Sequence, residues 1–156
     1  MLRIYPASDP EHYQQARLLF QHYADSLDFD LGFQNFNVEL ARLPGDYAPP
    51  EGCILLAEDA GKYVGCVALR PLDKQTCEMK RLFLLPPYRG RKIGQMLVNA
   101  IITTARQLGY QRMRLDTITS MQAAIDLYRS FGFQPIEAYC YNPHKDASYM
   151  ELALGK

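Results

Sequence analysis

The sequence predicts an α+β fold, a mixed and mostly antiparallel central sheet of about seven strands flanked by about four helices, in the order β α α β β β α β α β β. Three observations carry that expectation. Residues 52–85 hold three strand-like apolar runs separated by turn residues, the pattern of an antiparallel meander. Residues 92–108 switch to helical spacing and are followed by a further strand pattern, so strand, helix and strand make one right-handed crossover with parallel pairing. No internal repeat, low-complexity tract or charge block interrupts the 156 residues. With 48% hydrophobic and 22% charged residues, positions 1–156 read as a single domain with one ordinary core.

Leu2 to Tyr5 reads as a short first strand. Ser8-Asp9-Pro10-Glu11 combines a capping side chain, an early proline and a glutamate. It starts a helix that runs to about Leu27, with Tyr13, Ala16, Phe20, Tyr23 and Leu27 on one face. A weaker helical pattern covers FQNFNVELARL, residues 33–43, and stops at Pro44-Gly45; PGDYAPPEG, 44–52, is a loop. The meander strands are GCILLAED (52–59), KYVGCVALRP (62–71) and QTCEMKRLFLL (75–85), joined across Ala60-Gly61 and Asp73-Lys74. Lys92 to Leu108 sets Ile93, Leu97, Ala100, Ile101, Ala105 and Leu108 on a helical stripe, ended by Gly109. MRLDT (113–117) is a strand and Met121 to Phe131 a helix ended by Gly132. FQPIEAYC (133–140) and ASYMELAL (147–154) close the sheet.

Seventeen basic and seventeen acidic side chains give a formal net charge of zero, so no global field draws the protein to nucleic acid or an anionic membrane. Any charge chemistry is local. Cys53, Cys66, Cys77 and Cys140 never form CxxC, and three sit in apolar runs, which reads as free thiols in a reducing compartment. His12, His22 and His144 are scattered, without metal-ligand spacing, so no metal is expected. MLRIYPASDP lacks the apolar core of a signal peptide, and no apolar run reaches the roughly 18 residues of a membrane span. The expectation is a cytoplasmic protein that is a monomer or a homodimer.

The stretch PPYRGRKIGQMLV, residues 86–98, crowds three cations around a glycine where a helix begins. A helix N-terminus is already electropositive, because its first N–H groups lack partners. Strand end, prolines, a glycine-containing loop and exposed N–H groups together have the grammar of a phosphate site, although neither a P-loop nor a G-x-G-x-x-G fingerprint is present. Residue types alone leave a solvated loop with outward cations equally open.

This run resembles the signature of the GNAT superfamily of acetyl-CoA-dependent N-acetyltransferases, Q/R-x-x-G-x-G/A, with Arg89, Gly90, Arg91, Lys92, Ile93 and Gly94 in its places. Lys92 stands where the family usually has its first glycine; a lysine there is compatible with a helical φ, while its Cβ would crowd a pyrophosphate approaching the backbone. AAIDLYRSFGF, residues 123–133, resembles the second family signature, and the element order resembles the whole fold. The resemblance implies direct transfer of an acetyl group from acetyl-CoA to a primary amine of a small molecule or peptide. A non-catalytic acyl-CoA-binding or sensing domain is the alternative.

The resemblance also implies roles for individual residues. Main-chain groups of Leu82, Phe83 and Leu84 would hold the pantetheine arm and the thioester carbonyl, as a strand edge pairs with an extended peptide. Backbone N–H groups from Arg89 through Gly90, Arg91, Lys92, Ile93 and Gly94, with Gln95, would cradle the pyrophosphate. Tyr128 would meet the departing thiolate as general acid; its periodicity, shared with Met121, Ala124, Ile125 and Phe131, equally fits a core tyrosine. Met121 stands where many relatives have an asparagine.

Glu78 is the candidate general base, since an alkyl ammonium has no lone pair until it loses a proton. Two-residue alternation puts it on the face of Leu82 and Leu84, and burial is expected to raise its pKa. An ion pair with Arg70 or Lys80 is the competing reading. For the acceptor, YADSLDFDLGFQNFNVEL (23–40) mixes Asp25, Asp28, Asp30 and Glu39 with four aromatic side chains, which suits a cationic amine. Arg70, Lys80 and Arg81 suit a carboxylate instead, and Tyr139, Tyr141 and His144 are candidates to complete the pocket.

Overall fold

In the structure, a computed structural model that describes residues 1–27, 31–32 and 35–155, the chain opens with β1 (Leu2–Pro6) and turns into α1 (Pro10–Ser26). The Asp9 side chain caps this helix by accepting the His12 N–H at 2.8 Å, and Pro10 occupies the first turn, where its missing N–H costs nothing. α2 (Phe36–Arg42) and a short 3-10 turn (Gly45–Tyr47) lead to the meander β2 (Cys53–Asp59), β3 (Lys62–Pro71) and β4 (Thr76–Leu84). A second 3-10 turn (Pro86–Tyr88) precedes α3 (Ile93–Gln107), then β5 (Arg112–Ile118), α4 (Gln122–Ser130), β6 (Gln134–Ile136) and β7 (Ala147–Ala153). The element order is the one read from the sequence. Residues 33 and 34 of the expected second helix, and Asp28 and Asp30, lie outside the described residues.

The seven strands form one sheet in the order β1-β2-β3-β4-β5-β7-β6, antiparallel throughout except for the β4/β5 pair. At the β2–β3 turn Ala60 and Gly61 both have positive φ (51° and 84°), as the twist of a two-residue hairpin requires. One face packs on α1 and α2 through Phe20, Leu56, Ala68 and Phe83; the other packs on α3 and α4 through Leu97, Ile101, Met113 and Tyr128. Among the described residues no helix is long and apolar enough to cross a membrane.

Two local expectations change. The strand expected over 133–140 is only Gln134–Ile136, because the chain then leaves the sheet edge and carries Tyr139 inward to Glu78. In β4, Arg81 has φ 65°, and Cys66 pairs with Phe83 while Ala68 pairs with Lys80, so β4 carries one more residue than β3 across the shift. This bulge reverses the alternation. Cys77 and Met79 before it, and Leu82 and Leu84 after it, all reach the core under α3 and α4.

Candidate active site

β4 and β5 pair only from Thr76 to Glu78, opposite Arg112 to Arg114. Beyond that rung a cavity of about 90 Å3 lies between Met79–Leu82 of β4 and Leu115–Ile118 of β5. A parallel pair that stops hydrogen bonding midway leaves main-chain groups of both strands without ladder partners. The bulge at Arg81 lies within this stretch, where β4 shifts its register against β3 and no longer pairs with β5.

Arg81 is held there by its side chain. Its guanidinium donates to Glu39 through Nε at 2.9 Å and Nη2 at 2.8 Å, and lies over the rings of Tyr23 (5.7 Å) and Phe36 (5.2 Å). A non-glycine residue at positive φ costs about 1 to 2 kcal/mol, so four contacts from α1 and α2 over-determine a conformation the backbone disfavours.

On the α3 side the gap continues into a cleft of about 710 Å3, lined by Leu82, Phe83 and Leu84 of β4, the 89–95 segment, and α4 from Gln122 to Leu127. Arg89, Gly90, Lys92, Ile93, Gly94 and Gln95 all line it; Arg91 does not, its guanidinium lying over the Tyr88 ring at 5.2 Å. Gly90 (φ 85°) and Lys92 (φ 64°) are both left-handed. Lys92 therefore does not use the helical φ with which a lysine is compatible, because the loop reverses before α3 begins. No side chain caps α3, and none of the N–H groups from 90 to 95 donates to another described residue. The Arg89 N–H does, to Pro86 O at 3.2 Å, and its Nε donates to Leu84 O at 3.1 Å. The unpaired N–H groups of this segment thus begin at Gly90.

Tyr128 is buried on α4, lines the 90 Å3 cavity with Leu82, and packs on Phe133 with ring centroids 5.8 Å apart. Its hydroxyl makes no hydrogen bond among the described residues, and burial pushes the phenol above its ordinary pKa, so it stays protonated. It is a core tyrosine that also borders the gap.

Glu78 is placed differently from the expectation. Because the bulge lies between them, Glu78 and Leu82 face opposite sides of the sheet. Its Oε1 accepts from Arg70 Nε at 2.8 Å and its Oε2 from the Tyr139 hydroxyl at 2.6 Å. Burial pushes the carboxyl up, but Lys80, Arg70 and the Tyr139 hydrogen bond together pull it below the ordinary value. The rise expected from burial is thus outweighed.

On the same face as Glu78 and bordering the cavity are Lys80 and Asp116, 3.9 Å apart and both buried. Burial lowers the Lys80 ammonium pKa, with Glu78 and Asp116 opposing. Asp116, on β5 inside MRLDT, is the residue that sequence reasoning missed: an acidic residue in a strand gave no sign of facing a gap. Of the other acceptor candidates, Tyr139 bonds Glu78 without lining the cavity, Tyr141 is 73% exposed, and the His144 Nδ1 accepts from the Asp146 N–H. No group of three or more metal-ligating side chains occurs among the described residues.

The sequence model of the acetyltransferase (GNAT) family matches residues 10–133. An uncharacterized N-acetyltransferase of Schizosaccharomyces pombe is 42% identical over 149 residues, covering 94% of this chain and 91% of that protein. A GNAT-family acetyltransferase of Staphylococcus aureus superposes with a TM-score of 0.81 at 21% identity, over 99% of each chain. A putative acetyltransferase of Salmonella typhimurium, solved with its cofactor acetyl-CoA, gives 0.76 at 18% identity over 100% of this chain and 95% of that one. These two share the fold.

Proposed function

The chain belongs to the acetyltransferase (GNAT) family and is an acyltransferase; from that premise we propose that residues 1–156 form one catalytic domain moving an acetyl group from acetyl-CoA to a primary amine of a small molecule or peptide. Transfer is direct, with no acyl-enzyme. The single observation that carries this reading is that the cleft with free N–H groups and the cavity holding Tyr128 meet at Leu82. We place the activity in the cytoplasm, where its four unpaired cysteines stay reduced.

The residues present fit acetyl-CoA. Six backbone N–H groups from 90 to 95, uncapped and at a helix start, match a pyrophosphate, and the cleft beside Leu82–Leu84 accepts an extended amide-bearing arm. Bound there, acetyl-CoA supplies an acetyl thioester activated for attack by an amine.

Leu82, Phe83 and Leu84 orient the arm through main-chain groups, although Arg89 already occupies one lone pair of the Leu84 carbonyl. Gly94 leaves the first turn of α3 open toward the cleft. The Tyr128 hydroxyl donates a hydrogen bond to the leaving sulfur; its raised pKa makes it a better stabiliser of the thiolate than a full proton donor. Glu78 receives the amine proton only through a relay, because Tyr139 or water must bridge from the cavity to its carboxylate.

A thiol-release assay with acetyl-CoA against amino acids, polyamines, aminoglycosides and peptides tests the proposal. Thiol release with one acceptor class supports it. Stoichiometric acetyl-CoA binding without release across the panel overturns it in favour of a binding or sensing domain.

A further inference from the structure

Two buried carboxylates lie on the α1 side of the gap, and they are satisfied very differently. Glu78 has both oxygens engaged at 2.8 and 2.6 Å. Asp116 has a side chain only 7% exposed, yet it accepts just one ordinary hydrogen bond among the described residues, from Asn142 Nδ2 to Oδ2 at 3.2 Å; Lys80 Nζ stands 3.9 Å from Oδ1 and Cys140 Sγ 3.9 Å from Oδ2. A carboxylate offers about four acceptor sites, and charge-assisted N–H donors ordinarily sit at about 2.7–2.9 Å. Burying a charge with such loose pairing is costly. Asp116 therefore has acceptor capacity to spare, and it spends its burial at the cavity that also holds Tyr128.

We propose that Asp116 anchors the acceptor, its carboxylate accepting N–H hydrogen bonds from a primary amine that enters the gap from the α1 side. This rests on the N-acetyltransferase reading above. Lys80 and Asn142 hold the carboxylate from the two sides, and the incoming amine takes the remaining lone pairs. Lys80 also disfavours a second full positive charge beside it, which biases the bound acceptor toward its neutral, nucleophilic form. The segment that carries Tyr139 to Glu78 at 2.6 Å also carries Cys140 and Asn142 to Asp116, so it joins the anchor to the proton relay. The cavity of about 90 Å3 has room for a handful of waters, hence for an aminomethyl group, and a primary amine offers the carboxylate two N–H donors where a secondary amine offers one. The substrate class is a primary amine.

The test uses the intact enzyme with n-butylamine and N-methylbutylamine as probes, thiol release for turnover, and calorimetry for acetyl-CoA binding. The expected result is that Asp116→Asn raises the butylamine KM by about tenfold or more, the cost of a hydrogen bond to a charged group, with acetyl-CoA affinity unchanged. Lys80→Met is expected to move the butylamine KM the opposite way, because the amine then becomes the counter-ion of Asp116. General damage to the site would raise KM in both variants, and that outcome overturns the anchor. So does butylamine turnover indifferent to Asp116→Asn, or N-methylbutylamine turned over as well as butylamine. Acetyl-CoA binding with no thiol release from either probe or from the wider panel sinks the acetyltransferase reading itself, a different failure.

Discussion

Arg81 and Glu39 form a buried two-pronged ion pair, at 2.9 and 2.8 Å, across 42 positions of sequence. It joins α2 to the one residue of β4 whose backbone is left-handed, so the bulge beside the gap is fastened from the α2 side of the sheet. Removing Glu39 leaves a buried guanidinium without its counter-charge. Glu39→Ala is expected to cost about 3–5 kcal/mol in urea unfolding. Arg81→Gly removes both the guanidinium and the positive-φ strain, so the double variant is expected to lose clearly less than the two single losses added. Additive losses would mean that the pair does not hold the bulge.

Lys92 pays a backbone cost without visible compensation: it has φ 64°, and its side chain makes no capping hydrogen bond. Lys92→Gly is expected to raise stability by about 1 kcal/mol, since glycine adopts this conformation freely. For a domain of this length that is about 2–4 °C in Tm by calorimetry. An unchanged or lower Tm, with acetyl-CoA affinity also reduced, would show that the lysine side chain contributes more than its strain costs.

Glu78 sets an acid limit. Its folded-state pKa lies below the ordinary 4.5, so the stabilisation from Arg70, Lys80 and Tyr139 is complete above about pH 4.5 and disappears as pH falls through the folded value. Glu78→Gln is expected to lower Tm near neutrality and to flatten its decline below pH 4.5. The same variant tests the relay through the pH dependence of kcat/KM. If the acidic limb stays where it was in the wild type, Glu78 is structural and the proton leaves by another route.

Tyr128→Phe keeps the ring against Phe133 and removes only the hydroxyl at the gap. The expected loss is about a hundredfold in kcat, the scale of removing one donor from a developing anion. Acetyl-CoA affinity is expected to stay within about twofold, because the contact forms only as the sulfur departs. Turnover equal to wild type would remove Tyr128 from the mechanism and leave it a core residue.

Much of the fold was legible because local rules decide it. Asp9 and Pro10 mark the start of α1; Ala60-Gly61, Gly109 and Gly132 mark turns and stops that need positive φ or a chain reversal. The cluster 89–95 was legible as a donor-rich helix start for the same reason, since unpaired N–H groups belong to every helix that begins without a cap. The faces of β4 were not. Alternation is a local rule, and one extra residue at Arg81 cancels it. Nothing adjacent in sequence announces that residue, because the group that stabilises it, Glu39, comes from another element.

The sequence by itself determined the order of the elements, the parallel crossover through α3, and a glycine-containing loop that leads into the uncapped start of α3, although not that the Arg89 N–H is taken by Pro86 O. Tertiary structure alone decided which charges meet. It turned Glu78 away from Leu82 and bound it to Arg70 and Tyr139, and it set Asp116 at the gap beside Lys80. The physical reason is that secondary structure follows from interactions within a few residues, whereas the placement of a buried charge is fixed by partners that only the packed sheet brings within a few ångströms.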